Sequence, residues 1–195
     1  MCKYGTVYAA PPWPYHSPAA VVGNGGRGSN SGQASRIVQV NVLNHYPVMT
    51  MDDIKALPVG GMVAQNAHLY LWTTNSFMVE GHEVARAWGF EPKTILTWVK
   101  VRHEDGQPSM KTGYWYRSAT EHIIFAVRGK QRLLGPAAPT AYLLPRQPHS
   151  YKPDFFYDLI EKESPGPYLE LFARRLRGSQ WDSWGNEVDS TVEIN

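Results

Sequence analysis

The octet Tyr8-Ala9-Ala10-Pro11-Pro12-Trp13-Pro14-Tyr15 holds the residue types best suited to chemistry. The segment Tyr4 to Tyr8 ahead of it is β-branched and aromatic and reads as a buried strand. Two successive prolines remove backbone donors and fix φ, so the strand must end there and leave as a stiff, extended loop. The proline carbonyls are expected to point outward as strong acceptors. Trp13 and Tyr15 offer flat faces for stacking a base, worth about 1–3 kcal/mol per base. Open α/β sheets place ligands at strand ends of this kind. A structural proline turn with core aromatics is the competing reading of the octet alone.

Other residues could carry chemistry with it. Glu170 sits inside the apolar run Leu169 to Phe172. Buried carboxylates are rare unless paired or ligand-bound. A carboxylate at the end of a parallel strand suits the ribose hydroxyls of a nucleotide-like cofactor; a structural ion pair with an arginine such as Arg174 is an equal reading. Lys152, in a polar loop at a helix start, could meet a cofactor carboxylate, or the loop could simply cap the helix. The amide of Asn186 in Gly185-Asn186-Glu187 could read a base edge, or belong to a plain turn. The glycines between Gly23 and Gly32 lack the GxxxxGK[ST] spacing, which excludes a nucleotide P-loop. The seven histidines form no HExxH motif, and no metal site is expected. No Ser/His/Asp set stands out.

These residues need elements to position them. The spacing predicts a strand over Tyr4 to Tyr8 and a glycine- and serine-rich loop at about 17–44. A short helix follows, capped by Thr50, with Asp52 and Asp53 serving the helix dipole. Strands are expected at 67–74, 93–101, 121–127, 141–144 and 167–173, with a short one within 181–188. Helices are expected from Ser76 to Trp88, stopped by Gly89, and from Pro153 to about Glu163, burying Phe156, Leu159 and Ile160. The alternation of strands and helices gives an α/β fold with a mostly parallel sheet.

With 195 residues, 43% of them hydrophobic, the chain suits one domain over 1–195 with a sizeable core. The lone Cys2 excludes an internal disulfide and fits a reducing, cytoplasmic setting. No apolar run is long enough to span a bilayer, no signal segment opens the chain, and no membrane role is expected. A net charge of +2 is far from the footprint of a protein held to nucleic acid mainly by phosphates. The clusters Arg174, Arg175, Arg177 and Lys100, Arg102, Lys111 read first as solvated surface.

Taken together, the motifs resemble the S-adenosylmethionine-dependent adenine methyltransferases of the MT-A family, which includes the catalytic subunit of the messenger-RNA adenine methyltransferase complex. The family is marked by Asp-Pro-Pro-Trp at the end of an early strand, matched here by Ala10-Pro11-Pro12-Trp13. The likeness continues through His45-Tyr46-Pro47-Val48-Met49-Thr50, Leu69-Tyr70-Leu71-Trp72, Trp98-Val99-Lys100, Thr112-Gly113-Tyr114-Trp115 and Glu121-His122. It ends with Lys152-Pro153-Asp154, Glu170-Leu171-Phe172-Ala173-Arg174 and Trp184-Gly185-Asn186.

The resemblance implies a Rossmann-like methyltransferase fold with permuted motif order, the catalytic strand ahead of the cofactor-binding strand. It implies that Lys152, Glu170, Phe172, Arg174, Asn186 and Glu187 hold S-adenosylmethionine, with S-adenosylhomocysteine as product. Ala10, Pro11, Pro12 and Trp13 would form the catalytic stretch, with Trp13, Tyr15, His45, Tyr46 and Tyr151 lining the substrate. Two loops, His16 to Tyr46 and Arg146 to Lys152, would surround it. The compact length looks like bacterial and phage members, which points to DNA rather than RNA and to a cytoplasmic protein; a homodimer or heterodimer is left open. The departure is Ala10, which stands where the family has Asp. A methyl group accepts no hydrogen bond, so catalysis is expected to be impaired. The alternative is a non-catalytic nucleic-acid-binding partner subunit.

Overall fold

The computed structural model describes residues 3–14, 49–110, 115–148 and 151–194. In chain order the elements are β1 (Tyr4–Ala9), α1 (Met51–Ala56), α2 (Val59–Met62), β2 (Val63–Thr73), α3 (Met78–Ala87), β3 (Glu91–Val101), β4 (Thr120–Arg128), β5 (Ala141–Pro145), α4 (Phe155–Glu163), β6 (Tyr168–Leu171) and β7 (Trp181–Trp184). Every predicted strand and helix is present. The predicted Gly/Ser-rich loop at about 17–44, with Tyr15, His45 and Tyr46, lies outside the described residues.

The strands form a seven-stranded sheet in the order β5-β3-β4-β2-β1-β6-β7. β4 is antiparallel to β2 and β3, and every other pair is parallel. The fold is therefore α/β with a mostly parallel, Rossmann-like sheet. The antiparallel strand agrees with its connection: the described residues between β3 and β4 include no helix to carry a parallel crossover.

Alternation along the central strands sorts side chains to two faces. Val7, Ala9, Leu69, Leu71, Leu169 and Leu171 face one way, under α1, α2 and α3. Tyr8, Tyr70, Trp72, Trp98, Tyr168 and Trp181 face the other, under α4. One core is thus mainly aliphatic and the other aromatic. Gly81 permits the close approach of α3, because a Cβ there would stand 2.7 Å from Ile124 Cδ1.

Several ends differ from the expected ones for local reasons. The short helix α2 was not anticipated, and β2 starts at Val63 rather than Ala67. A 3-10 turn at Asn75–Phe77 takes the first residues of the expected third helix. Pro153 precedes α4 rather than opening its first turn, because Asp154 is the N-cap. β6 ends at Leu171, where Phe172 adopts φ 63°. Thr50 and Asp53 do form the expected capping box of α1. Of the face predicted for α4, Phe156 and Ile160 are buried and Leu159 partly so. No helix among the described residues is long and apolar enough to cross a membrane.

Candidate functional site

β1 lies in the middle of the parallel strands, with β2 on one side and β6 on the other. The chain therefore moves outward in opposite directions from β1, which makes the carboxyl ends of β1 and β6 a topological switch point. Ala9 is in register with Leu71 and with Leu171. Ala10 continues the ladder by donating its N–H to Leu171 O at 3.3 Å. Its methyl group packs against the aromatic core under α4. Phe172 and Ala10 therefore leave adjacent strands side by side.

The proline turn is held from within. Trp13 N donates to Pro11 O at 2.9 Å and Met49 N to Pro12 O at 3.4 Å. This corrects the expectation that both carbonyls point freely outward, although each oxygen keeps a second lone pair. Trp13 is 5% exposed. Its Nε1 donates to Trp72 O at 3.1 Å, and its ring stacks on Phe77 with centroids 5.5 Å apart. One face of the indole is thus taken by Phe77, and its N–H pins the turn to the end of β2.

Glu170 occupies the same face as Tyr8 and Ser183, its register partners on β1 and β7. It is 7% exposed, and its Oε1 accepts from Tyr157 OH at 2.8 Å. Its Oε2 is buried without a hydrogen-bond partner. Burial raises its carboxyl to about 7, against the opposing effects of the Tyr157 hydrogen bond and the Arg175 charge. The open alternative of a Glu170–Arg174 ion pair is not what forms. Arg174 pairs with Glu187 at 2.8 Å.

That pair links the segment after β6 to the segment after β7. The backbone crossing beneath it needs glycine: a Cβ on Gly185 would stand 2.2 Å from Ala173 O. Ala173 N donates to Trp184 O at 2.9 Å, and the Phe172 and Trp184 rings meet edge to face at 5.5 Å. Asn186 and Glu187 are exposed beyond this crossing. The left-handed backbone of Phe172, uncommon for a bulky residue, makes the sharp turn out of β6. The neighbouring arginines are not simply solvated: Arg175 pairs with Asp154, and Arg177 with Asp158.

Lys152 reaches the site from the loop before α4. Its ammonium sits 4.5 Å from the Trp72 ring centroid and pairs with Glu121. Glu121 also pairs with Lys100. Burial alone would raise the Glu121 carboxyl, but Lys152 and Lys100 outweigh it and bring it down to about 2. Burial lowers the Lys152 ammonium, with Glu121 opposing. Tyr151 beside it is 45% exposed, its ring 5.9 Å from the Arg175 guanidinium. The structure thus gathers Ala10 to Trp13, Tyr151, Lys152, Glu170, Phe172, Arg174, Asn186 and Glu187 on strand ends and loops around one edge of the sheet. Sequence reasoning gave no role to Glu121 and took Lys100 for surface. The missed signal was a charge at the inner end of each of two apolar strands, β4 and β3.

Comparison with known proteins gives the family. The MT-A70 family model matches residues 4–187. The chain belongs to the MT-A70 family. It is 31% identical over 197 residues to the type II methyltransferase M.MunI of Mycoplasma sp., covering 98% of this chain and 81% of that protein. It is 26% identical over 191 residues to the human N(6)-adenosine-methyltransferase catalytic subunit METTL3, covering 96% of this chain and 28% of that one. The MT-A70-like N(6)-adenosine-methyltransferase of Drosophila melanogaster is also 26% identical over 191 residues, 96% of this chain and 27% of that protein. The chain therefore spans most of the bacterial relative and just over a quarter of the animal ones. Family membership supports methyltransferase activity.

Proposed function

We propose that this chain is built to transfer a methyl group from S-adenosylmethionine to the 6-amino group of adenine in nucleic acid, and that Ala10 impairs it. The observation that carries the reading is the hydrogen-bonded junction of Ala10 with Leu171 at the end of β6, next in sequence to a buried carboxylate with a free oxygen.

The donor set suits the cofactor. Glu170 Oε2 is a buried acceptor lacking a donor, which a ribose hydroxyl supplies. Lys152 offers an ammonium to a carboxylate, while Arg174, Asn186 and Glu187 line the outer rim, with Phe172 between. When bound, S-adenosylmethionine supplies an electrophilic methyl on a sulfonium. The residues of this chain hold and orient. The remaining lone pair of Pro11 O accepts a hydrogen of the 6-amino group and so helps to localise its nitrogen lone pair. An aspartate at position 10 would accept the other; Ala10 cannot. Positioning and electrostatics dominate in such a site.

DNA is favoured over RNA because the chain is 31% identical to the type II methyltransferase and 26% identical to human METTL3. The test is calorimetric binding of S-adenosylmethionine to this chain, with methylation of DNA and RNA measured before and after Ala10→Asp. The expected result is binding in both forms and a gain of about 10²–10³ in methyladenine formation with Asp. Absence of binding, with no activity restored, would refute the reading. Ala10 itself favours one second reading, a non-catalytic nucleic-acid-binding partner, which that result would support.

A further inference from the structure

Lys100, Glu121 and Lys152 form a cluster that the catalytic reading does not fully use. Glu121 gives Oε1 to Lys100 and Oε2 to Lys152. The two ammoniums lie 4.6 Å and 4.5 Å from the ring centroids of Trp98 and Trp72, whose indoles meet edge to face at 6.2 Å. The side chain of Lys100 is 8% exposed and that of Lys152 is 20% exposed. Lys100 is therefore the more deeply buried cation and Lys152 the more accessible one.

The charges do not balance. Two ammoniums share one carboxylate, and the described residues place no second acid on either lysine. Burying a cation costs free energy unless it is paired. A single Glu121–Lys152 pair would be neutral and would need no Lys100. The second, deeper lysine makes sense if the cluster is completed by an anion from outside. The indole faces hold the cations meanwhile.

We propose that Lys100 is a positioning residue: by taking one oxygen of Glu121 it leaves Lys152 with charge to offer the carboxylate of a bound ligand. This rests on the cofactor reading above, which gives that carboxylate a source. Without Lys100, Glu121 and Lys152 close on each other as a neutral pair. The anion then meets a spent ammonium, although every group that touches it is unchanged.

The experiment is calorimetry on the full chain with two ligands. S-adenosylhomocysteine carries the amino-acid carboxylate; 5′-methylthioadenosine keeps the nucleoside thioether and lacks it. The variants are Lys100→Gln, which keeps a donor for Glu121 without charge, Lys100→Met, and Lys100→Arg, which restores the charge. Gln and Met are made in parallel so that whichever folds carries the test. The expected result is about tenfold weaker S-adenosylhomocysteine binding in the neutral variants. Methylthioadenosine binding stays within about twofold, and Arg restores most of the loss. Unchanged S-adenosylhomocysteine affinity overturns the proposal, and so does equal loss for both ligands, which marks a structural role. Failure of the parent chain to bind either ligand overturns the cofactor reading itself, a result distinct from both.

Discussion

Glu170→Gln should make this protein more stable while disabling its site. The Glu170 carboxyl stands at about 7 in the folded chain against 4.5 ordinarily, chiefly through burial. At 1.36 kcal/mol per pH unit the gap is worth about 3 kcal/mol. Glu170 is 7% exposed, so solvent screening removes little of it. Below about pH 4.5 the carboxyl is protonated in folded and unfolded chains alike, and Gln and Glu should be nearly equivalent. As pH rises towards 7 the unfolded chain ionises freely and the folded chain resists, so the parent loses stability that Gln keeps. Gln also preserves an acceptor for Tyr157 OH. Urea and thermal melts of both chains at pH 4.5, 6 and 8 measure the difference. It should be near zero at pH 4.5 and reach about 3 kcal/mol at pH 8, or about 6–12 °C in Tm for a domain of this size. S-adenosylhomocysteine should raise the Tm of the parent at pH 8 and leave the variant unmoved, since a strained ligand group trades stability for binding. A pH-independent offset, or a variant less stable than the parent at pH 8, would refute the reasoning.

Trp13→Phe should cost about 1–3 kcal/mol, because it removes the hydrogen bond to Trp72 O and shrinks a buried ring; a thermal melt within 1 °C of the parent would show that the indole is not an anchor. Gly185→Ala should lower stability by about 2–4 kcal/mol, since the new Cβ meets the Ala173 backbone rather than a side chain that can swing away; wild-type stability and ligand affinity would contradict the close crossing. His68 is fully buried, bonded to Ser164 Oγ at 2.7 Å, and burial lowers its pKa. The folded chain therefore binds this proton less readily than the unfolded chain, which takes it up below about pH 6.5. In the Glu170→Gln background, where the opposing carboxyl contribution is gone, the urea midpoint should therefore fall between pH 7 and pH 5, with His122 acting in the same direction. A flat profile would count against a His68 pKa lowered by burial.

Apart from the short α2 and the turn at Asn75–Phe77, the chain by itself determined the elements and their kind. Continuous apolar runs such as Leu69 to Trp72, the Thr50 cap, the stop at Gly89 and the double proline after Ala10 are local signals, settled within a few residues of the chain. It also marked Lys152, Glu170 and Ala10, because a charge or a missing acid within a recurring motif is visible without coordinates. Tertiary structure decided what those residues do to one another. That Glu170 leaves Arg174 for Tyr157, and that Arg174 takes Glu187, follows from the order in which β6, β7 and α4 pack. That one face of Trp13 is taken depends on Phe77, 64 positions away in sequence. The Lys100–Glu121–Lys152 cluster exists because β3 and β4 run antiparallel and bring Trp98 beside Glu121, with Lys152 arriving from the loop before α4. Pairings of this kind depend on strand order and on which face a side chain takes, and neither is encoded in any short stretch of sequence.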